Sequence, residues 1–219
     1  MMFDYFSHTY VKCPIQFEER WQLVKAELDR FYLSYERFSL NKVAATDRDE
    51  REKLATEDFF ACIQDAKDHH YNNCLIFEDD IVIADDHLVN FPKVIAFLDN
   101  IPWDMFYFGG TFRERPEQIT DWIVRNKLTW CLQAVAVNST AYDKLLELKN
   151  PDGIGDSTIC EKIQSQGKTF CVLPRMTYQR QGYSYLQDKD LNYYHWQRDD
   201  KHITADKLEY SEGIYINRG

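Results

Sequence analysis

The sequence predicts an α/β fold of three layers, with helices on both sides of a central, mostly parallel mixed sheet. Three observations predict it. Apolar runs of strand length alternate along the chain with longer stretches in which apolar residues recur every three or four positions. One such run, Cys74-Leu75-Ile76-Phe77, ends abruptly in three carboxylates, Glu78-Asp79-Asp80, and open α/β sheets bind their ligands at the carboxyl ends of strands. No internal repeat or low-complexity tract interrupts this alternation, which argues against a sandwich or a helical bundle.

Taken in order, Tyr10-Val11-Lys12 is a short strand limited by Cys13-Pro14. Residues 16–32 read as a helix, with Phe17, Trp21, Val24, Leu28 and Phe31 on one face, and residues 33–38 as a second strand. A charged helix over 48–70 buries Leu54, Phe59, Cys62, Ile63 and Ala66, and leads into the central strand 74–77. Residues 88–98 form an amphipathic helix, followed by a turn at Asn100-Ile101-Pro102 and an aromatic strand from Trp103 to Phe108. Gly109-Gly110 closes that strand, where a missing side chain permits a tight turn or a close approach. Residues 129–137 read as one strand, Asn138-Ser139-Thr140 starts a helix over 141–148, and Asn150-Pro151-Asp152-Gly153 is a turn. A short helix over 157–166 stops at Gly167, and Phe170 to Leu173 is a strand. Past Pro174 the chain is polar and aromatic, and from about Gln179 it either wraps the sheet and closes the site or is a disordered tail.

Composition narrows the function. With 219 residues, 44% of them hydrophobic, the chain suffices for one large domain or a domain with an appendage. A net charge of −10 argues against non-specific nucleic-acid binding, so an anionic substrate needs a local basic cluster or a metal. Aromatic residues make up 15%, a content suited to surfaces that stack on flat or sugar-like ligands. The six cysteines, at 13, 62, 74, 131, 160 and 171, form no CxxC pair. Their apolar surroundings, the lack of a signal peptide at Met1-Met2-Phe3-Asp4-Tyr5 and the lack of a membrane-spanning run lead us to expect a reducing, cytoplasmic setting.

Three adjacent carboxylates repel one another unless water, bases or a metal offsets them, and Mg²⁺ or Mn²⁺ takes such oxygens as ligands. On an extended strand Glu78 and Asp80 share a side and Asp79 points away, which makes Glu78 and Asp80 the expected ligand pair and leaves Asp79 for the ribose or sugar of a bound ligand, or for locking the loop from behind. The alternative is a water-facing turn, the usual fate of charge runs such as Asp85-Asp86.

The order of segments Glu18-Glu19-Arg20-Trp21, Tyr35-Glu36-Arg37-Phe38, Phe60-Ala61-Cys62, Leu75-Ile76-Phe77-Glu78-Asp79-Asp80 and Trp103-Asp104-Met105-Phe106-Tyr107-Phe108-Gly109-Gly110 resembles glycosyltransferase family 25, which includes lipopolysaccharide-biosynthesis and collagen galactosyltransferases. The likeness covers roughly residues 10–184. It departs at Ala61-Cys62-Ile63-Gln64-Asp65-Ala66, where the family has a Gly-Cys…Ser-His segment, and at Tyr10-Val11-Lys12-Cys13, which lacks the family's Asn-Leu strand ending. The resemblance implies a GT-A fold, a Rossmann-like α/β/α domain spanning 1–219, with residues 1–110 mainly holding the donor and 111–219 mainly the acceptor and a closing segment.

By the same resemblance the chain is expected to be a metal-dependent enzyme that moves a sugar from a nucleoside diphosphate, UDP by preference, to a glycan acceptor with inversion. Mn²⁺ or Mg²⁺ would sit on a DxD-like acidic motif. His195, or else His202, would complete its shell, although a lone histidine among aromatics is more often a packed or surface residue. Asp156, after Gly153-Ile154-Gly155, is the expected base, with Asp152 as the fallback; an Asp before a helix is equally a routine N-cap. Arg20 and Arg37 match the family's arginines and would approach the donor phosphates, or pair with Glu18, Glu19 or Glu36. Trp130, Tyr183 and Trp196 are candidates for a platform under the acceptor sugar. Two other classes remain: a carbohydrate-binding module without catalysis, and a metal-dependent nucleotidyltransferase or phosphohydrolase. No GxxxxGK[ST] loop supports a P-loop form of the latter.

Overall fold

The computed structural model describes residues 3–40, 47–149, 156–192, 197, 204–211 and 213–216. The first half runs β1 (His8–Lys12), α1 (Glu18–Asp29), β2 (Glu36–Phe38), α2 (Arg48–Asp68), β3 (Asn73–Glu78), β4 (Ile81–Ile83), a 3₁₀ turn (Asp85–Asn90) and α3 (Phe91–Leu98). Next come β5 (Met105–Tyr107), β6 (Thr111–Phe112), β7 (Glu117–Thr120), β8 (Ile123–Arg125), β9 (Thr129–Trp130), β10 (Ala134–Asn138), α4 (Ser139–Leu146), α5 (Asp156–Lys162) and β11 (Thr169–Val172). The chain closes with β12 (Thr177–Gln179), β13 (Gly182–Ser184), β14 (Lys189–Leu191), β15 (Glu209–Ser211) and β16 (Ile214–Ile216).

Eight strands form the central sheet in the order β2-β1-β3-β10-β5-β11-β8-β7, and all but β10 and β8 run in the same direction. The three-layer expectation holds. Tyr10, Cys74, Ile76, Val135 and Val137 pack on the face covered by α2, α4 and α5, while Val11, Leu75, Phe77, Ala134 and Ala136 pack on the face covered by α1 and α3. Strands buried on both faces need apolar side chains at every position, which is why residues 74–77 read as a continuous apolar run. On the second face Ala136 lies between Leu75 of β3 and Phe106 of β5, so a small side chain on one strand accommodates large ones on its neighbours.

The expected strand over 129–137 is two strands. Cys131 takes a left-handed backbone, φ 74°, and this break sends β9 into a second sheet, β15-β16-β6-β9, while β10 enters the central one. The helix expected from residue 88 begins as α3 only at Phe91, with Pro92 in its first turn, where proline's missing N–H costs nothing. The described part of the tail is ordered: β12 pairs with β4, β13 with β14 as a hairpin, and β15–β16 extend the second sheet. Among the described residues no helix is long and apolar enough to cross a membrane.

Connectivity explains where a crevice opens. From β1 the chain crosses to β2 on one side through α1, then returns past β1 to β3 on the other side through α2. The helices leave for opposite faces at this reversal, so the carboxyl ends of β1 and β3 face a gap, the place where open α/β sheets hold ligands.

Candidate active site

The three acids meet two cations at that gap. Lys12 and Glu78 are register partners on adjacent parallel strands, and the Lys12 ammonium donates to Glu78 Oε1 at 3.1 Å. Only 8% of Lys12 is exposed. Burial, the largest single influence, lowers its pKa, but the charge and hydrogen bond of Glu78, together with Cys62 and Asp58, raise it and the net shift is upward, so the lysine stays charged. Arg20, on the first turns of α1, donates to Asp79 Oδ1 at 2.5 Å and lies 3.7 Å from Asp80 Oδ2.

β3 ends at Glu78, and Asp79-Asp80 form the turn into β4, so the alternation expected of an extended strand does not set where these two acids point. The turn does. It is held from the far side by β12 and the residue after it: Gln179 Nε2 donates to Asp80 Oδ2 at 3.3 Å, and the Arg180 amide donates to the Asp80 carbonyl at 2.6 Å. Gln179 is fixed in turn by two hydrogen bonds with the buried Gln197, at 2.7 and 2.9 Å. Asp80 Oδ1 is buried and has no hydrogen-bond partner among the described residues.

Three carboxylates against two cations leave one negative charge unmatched, and it falls on Asp80. Burial, then repulsion from Glu78 and Asp79, pushes its pKa up to about 7, with Arg20 and Gln179 opposing. Asp79 is also raised, mainly by burial, against the pull of Arg20. Such a site has room for one more cation. The donor set fits a hard divalent ion, since Mg²⁺ in phosphate-transfer sites takes one or two carboxylates and fills its remaining positions with substrate phosphates and water. Among the described residues no three His, Cys, Asp or Glu side chains converge as a self-sufficient cage.

The acids open onto a cleft of two chambers, of about 540 and 160 Å³. Both are lined by Phe17, Arg20, Asp79, Asp80, Ser184 and Tyr185. The smaller chamber adds Lys12, Glu78 and Asp58; the larger adds Leu23, Arg180, Tyr183 and Leu191. The partition is aromatic. Phe17 meets Tyr185 edge-on, with ring centroids 4.6 Å apart, and Arg51 lies over the Tyr185 ring at 4.7 Å while donating to its carbonyl at 2.7 Å. Tyr185 belongs to the β13–β14 hairpin, so this clasp holds the hairpin over the cleft.

Of the residues expected from the sequence, Glu78, Asp79, Asp80, Arg20 and Tyr183 come together here. Arg37 does not line the cleft: its guanidinium donates to the carbonyls of Cys13, Pro14 and Ile15 and to Glu18, and lies over the Trp21 ring. Trp130 lies under Arg113 in the second sheet. Asp156 opens α5, but its side chain, like Asp152, His195, Trp196 and His202, lies outside the described residues. Lys12, Arg51, Gln179, Arg180 and Tyr185 were not singled out from the sequence. Lys12 alone left a trace there, as a charge in an apolar strand whose neighbour ends in acids.

No family model matches the chain, and no curated protein matches it. Among solved structures it is similar to A197 from STIV, at 13% identity and TM-score 0.49, over 90% of this chain and 97% of that one. A glycosyltransferase involved in glycosylation of the PBCV-1 major capsid is similar at 13% identity and TM-score 0.43, over 74% of this chain and 79% of that one. A Bacillus anthracis protein assigned as a glucose-1-phosphate thymidylyltransferase is similar at 12% identity and TM-score 0.44, over 74% of this chain and 65% of that one.

Proposed function

We infer that the chain is a metal-dependent glycosyltransferase of GT-A type that transfers a hexose or deoxyhexose from a nucleoside diphosphate, UDP by preference, to a glycan acceptor with inversion. The observation that carries this reading is the buried Oδ1 of Asp80, without a hydrogen-bond partner among the described residues, beside Glu78 at the switch point of an α/β sheet and flanked by Lys12 and Arg20. A diphosphate is suited by that combination: cations for its oxygens, and carboxylates that would hold a divalent ion to offset its charge.

In this reading Glu78 and Asp80 hold Mn²⁺ or Mg²⁺, with His195 as the third protein ligand. The ion, when bound, neutralises charge developing on the leaving diphosphate. Lys12 and Arg20 add fixed positive charge on the same side, and Asp79 keeps the Arg20 guanidinium in place. Arg37 acts at one remove, by bracing the turn that carries Pro14 and Ile15. Asp156 takes the acceptor hydroxyl's proton as that oxygen bonds to the anomeric carbon and the nucleoside diphosphate departs. Residues 1–110 supply mainly donor contacts, and the later residues supply the acceptor wall and the closing hairpin.

The test combines binding and turnover. UDP or a UDP-sugar should raise the unfolding temperature in Mn²⁺ and do so far less in EDTA, and Asp80→Asn should abolish metal-dependent release of UDP while remaining folded. Wild-type turnover in Asp80→Asn would refute the assignment. Release of pyrophosphate in place of a nucleoside diphosphate would instead identify a nucleotidyltransferase, and glycan binding that needs neither metal nor nucleotide would identify a binding module.

A further inference from the structure

We propose that Arg180 grips the distal phosphate of the nucleoside diphosphate and so sets a preference for a diphosphate over a monophosphate. This rests on the glycosyl-transfer reading above and adds to it a specificity-determining residue.

The other cations at the acid turn are already engaged. Lys12 donates to Glu78 at 3.1 Å, and Arg20 donates to Asp79 at 2.5 Å while lying 3.7 Å from Asp80, so each is turned toward a carboxylate first. Arg180 is not. Its Nε is buried without a hydrogen-bond partner among the described residues, and its one ion pair among them, with Glu27, is 4.0 Å long, beyond hydrogen-bond reach. Glu27 is itself taken up, because its Oε1 accepts from the Ile83 amide at 2.9 Å and from Arg30 at 3.0 Å. A buried donor left without an acceptor is costly. A phosphate removes that cost, since its oxygens match the fork of a guanidinium two at a time.

The residue is also placed for this. Its amide donates to the Asp80 carbonyl at 2.6 Å, which fixes its backbone against the acid turn, and its side chain remains 33% exposed. Arg180 lines the larger chamber and not the smaller, Lys12 lines the smaller and not the larger, and Arg20, Asp79 and Asp80 line both. Leu23 of α1 lines the larger chamber too, and Glu27 lies one helical turn beyond it. The guanidinium thus runs along the α1 wall that also carries Arg20. A diphosphate seated at the turn therefore meets Lys12 with the phosphate that faces the smaller chamber and Arg180 with the one that faces the larger. The larger chamber, about 540 Å³ against 160 Å³, is the one with room for a transferred sugar and its acceptor together. The phosphate that carries the sugar, the distal one, is accordingly the phosphate at Arg180.

Isothermal titration calorimetry of the full chain with UDP and with UMP, each in Mn²⁺, tests the proposal. Wild type should bind UDP about tenfold or more tightly than UMP, the scale of one charge-assisted hydrogen-bond pair. Arg180→Gln should weaken UDP about tenfold and leave UMP within about twofold, because UMP has no distal phosphate. Arg180→Lys keeps the charge but loses the fork, so it should fall between the two, and it carries the same test if the glutamine variant fails to fold. Arg113→Gln, at an arginine over Trp130 in the second sheet, should leave both affinities unaltered. Parallel losses of UDP and UMP would mean that Arg180 only braces the Asp80 turn, and would overturn the proposal. UDP binding with an unchanged preference in Arg180→Gln would sink this proposal alone, whereas UDP that fails to bind the wild type would sink the parent reading and this proposal with it.

Discussion

Asp80 is where local chemistry decides most. Its carboxyl is raised to about 7, so in metal-free protein its ionisation works against folding. The sign follows from the linkage: a carboxyl whose folded pKa exceeds its unfolded value, near 3.9, favours the folded state at low pH and loses that contribution as pH rises through about 7. In EDTA the wild type should therefore lose stability between pH 4 and 8 by a few kcal/mol, since each tenfold change in proton affinity on folding is worth about 1.4 kcal/mol. Asp80→Asn should flatten that slope, and urea midpoints at pH 5 and pH 8 check it. An equal slope in the variant would place the titration elsewhere. Lys12 makes the complementary case. Lys12→Met removes the partner of Glu78 on a neighbouring strand and should cost about 2–3 kcal/mol, with Glu78→Gln in the same chain recovering part of it in chemical denaturation. The sequence made the acids legible because three in a row at a strand end are rare. It hid Lys12, whose pairing depends on β1 lying beside β3 in register.

At the scale of elements, the site depends on β12 reaching the acid turn, and β12 depends on Gly109. A Cβ on Gly109 would stand 2.2 Å from the Thr177 carbonyl oxygen, backbone that has no room to yield, and the Met176 and Thr177 amides both donate to the Phe108 carbonyl just before it. The glycine pair thus serves a close approach of two chain segments rather than a ligand. Gly109→Ala should cost about 2–3 kcal/mol and, by displacing Gln179, should weaken nucleotide-sugar binding although it lies in neither chamber. Thermal unfolding and calorimetry on one variant read both effects. Unchanged stability would show that the approach is looser than this. Element type followed the sequence wherever periodicity was sustained, as in α1, α2 and β3. It failed at β9 and β10, where a left-handed Cys131 breaks an apolar run that carries no glycine or proline to mark it. It also missed the two- and three-residue strands β6, β8 and β12, which are too short to show alternation.

For the whole molecule, burial governs reactivity. None of the six cysteines, all among the described residues, forms a disulfide, and all but Cys131 are buried. Burial pushes the Cys13 and Cys74 thiols up to about 12 and Cys62 well above its ordinary value. Because the thiolate is the reactive form, Ellman's reagent at pH 8 should titrate at most one thiol quickly in the native protein and six after guanidinium unfolding. Two or more fast thiols would contradict the packing around β1, β3 and α2. By itself the sequence determined the layer architecture and the acidic strand end, because both are written in local patterns of polarity that few folds can satisfy. Only the tertiary structure decided that Lys12 and Arg20 neutralise two of the three acids, that Arg37 serves the loop, and that a late hairpin divides the cleft. Those outcomes depend on which distant segments become neighbours at the reversal between β1 and β3, and contacts at long sequence separation leave no periodicity to read.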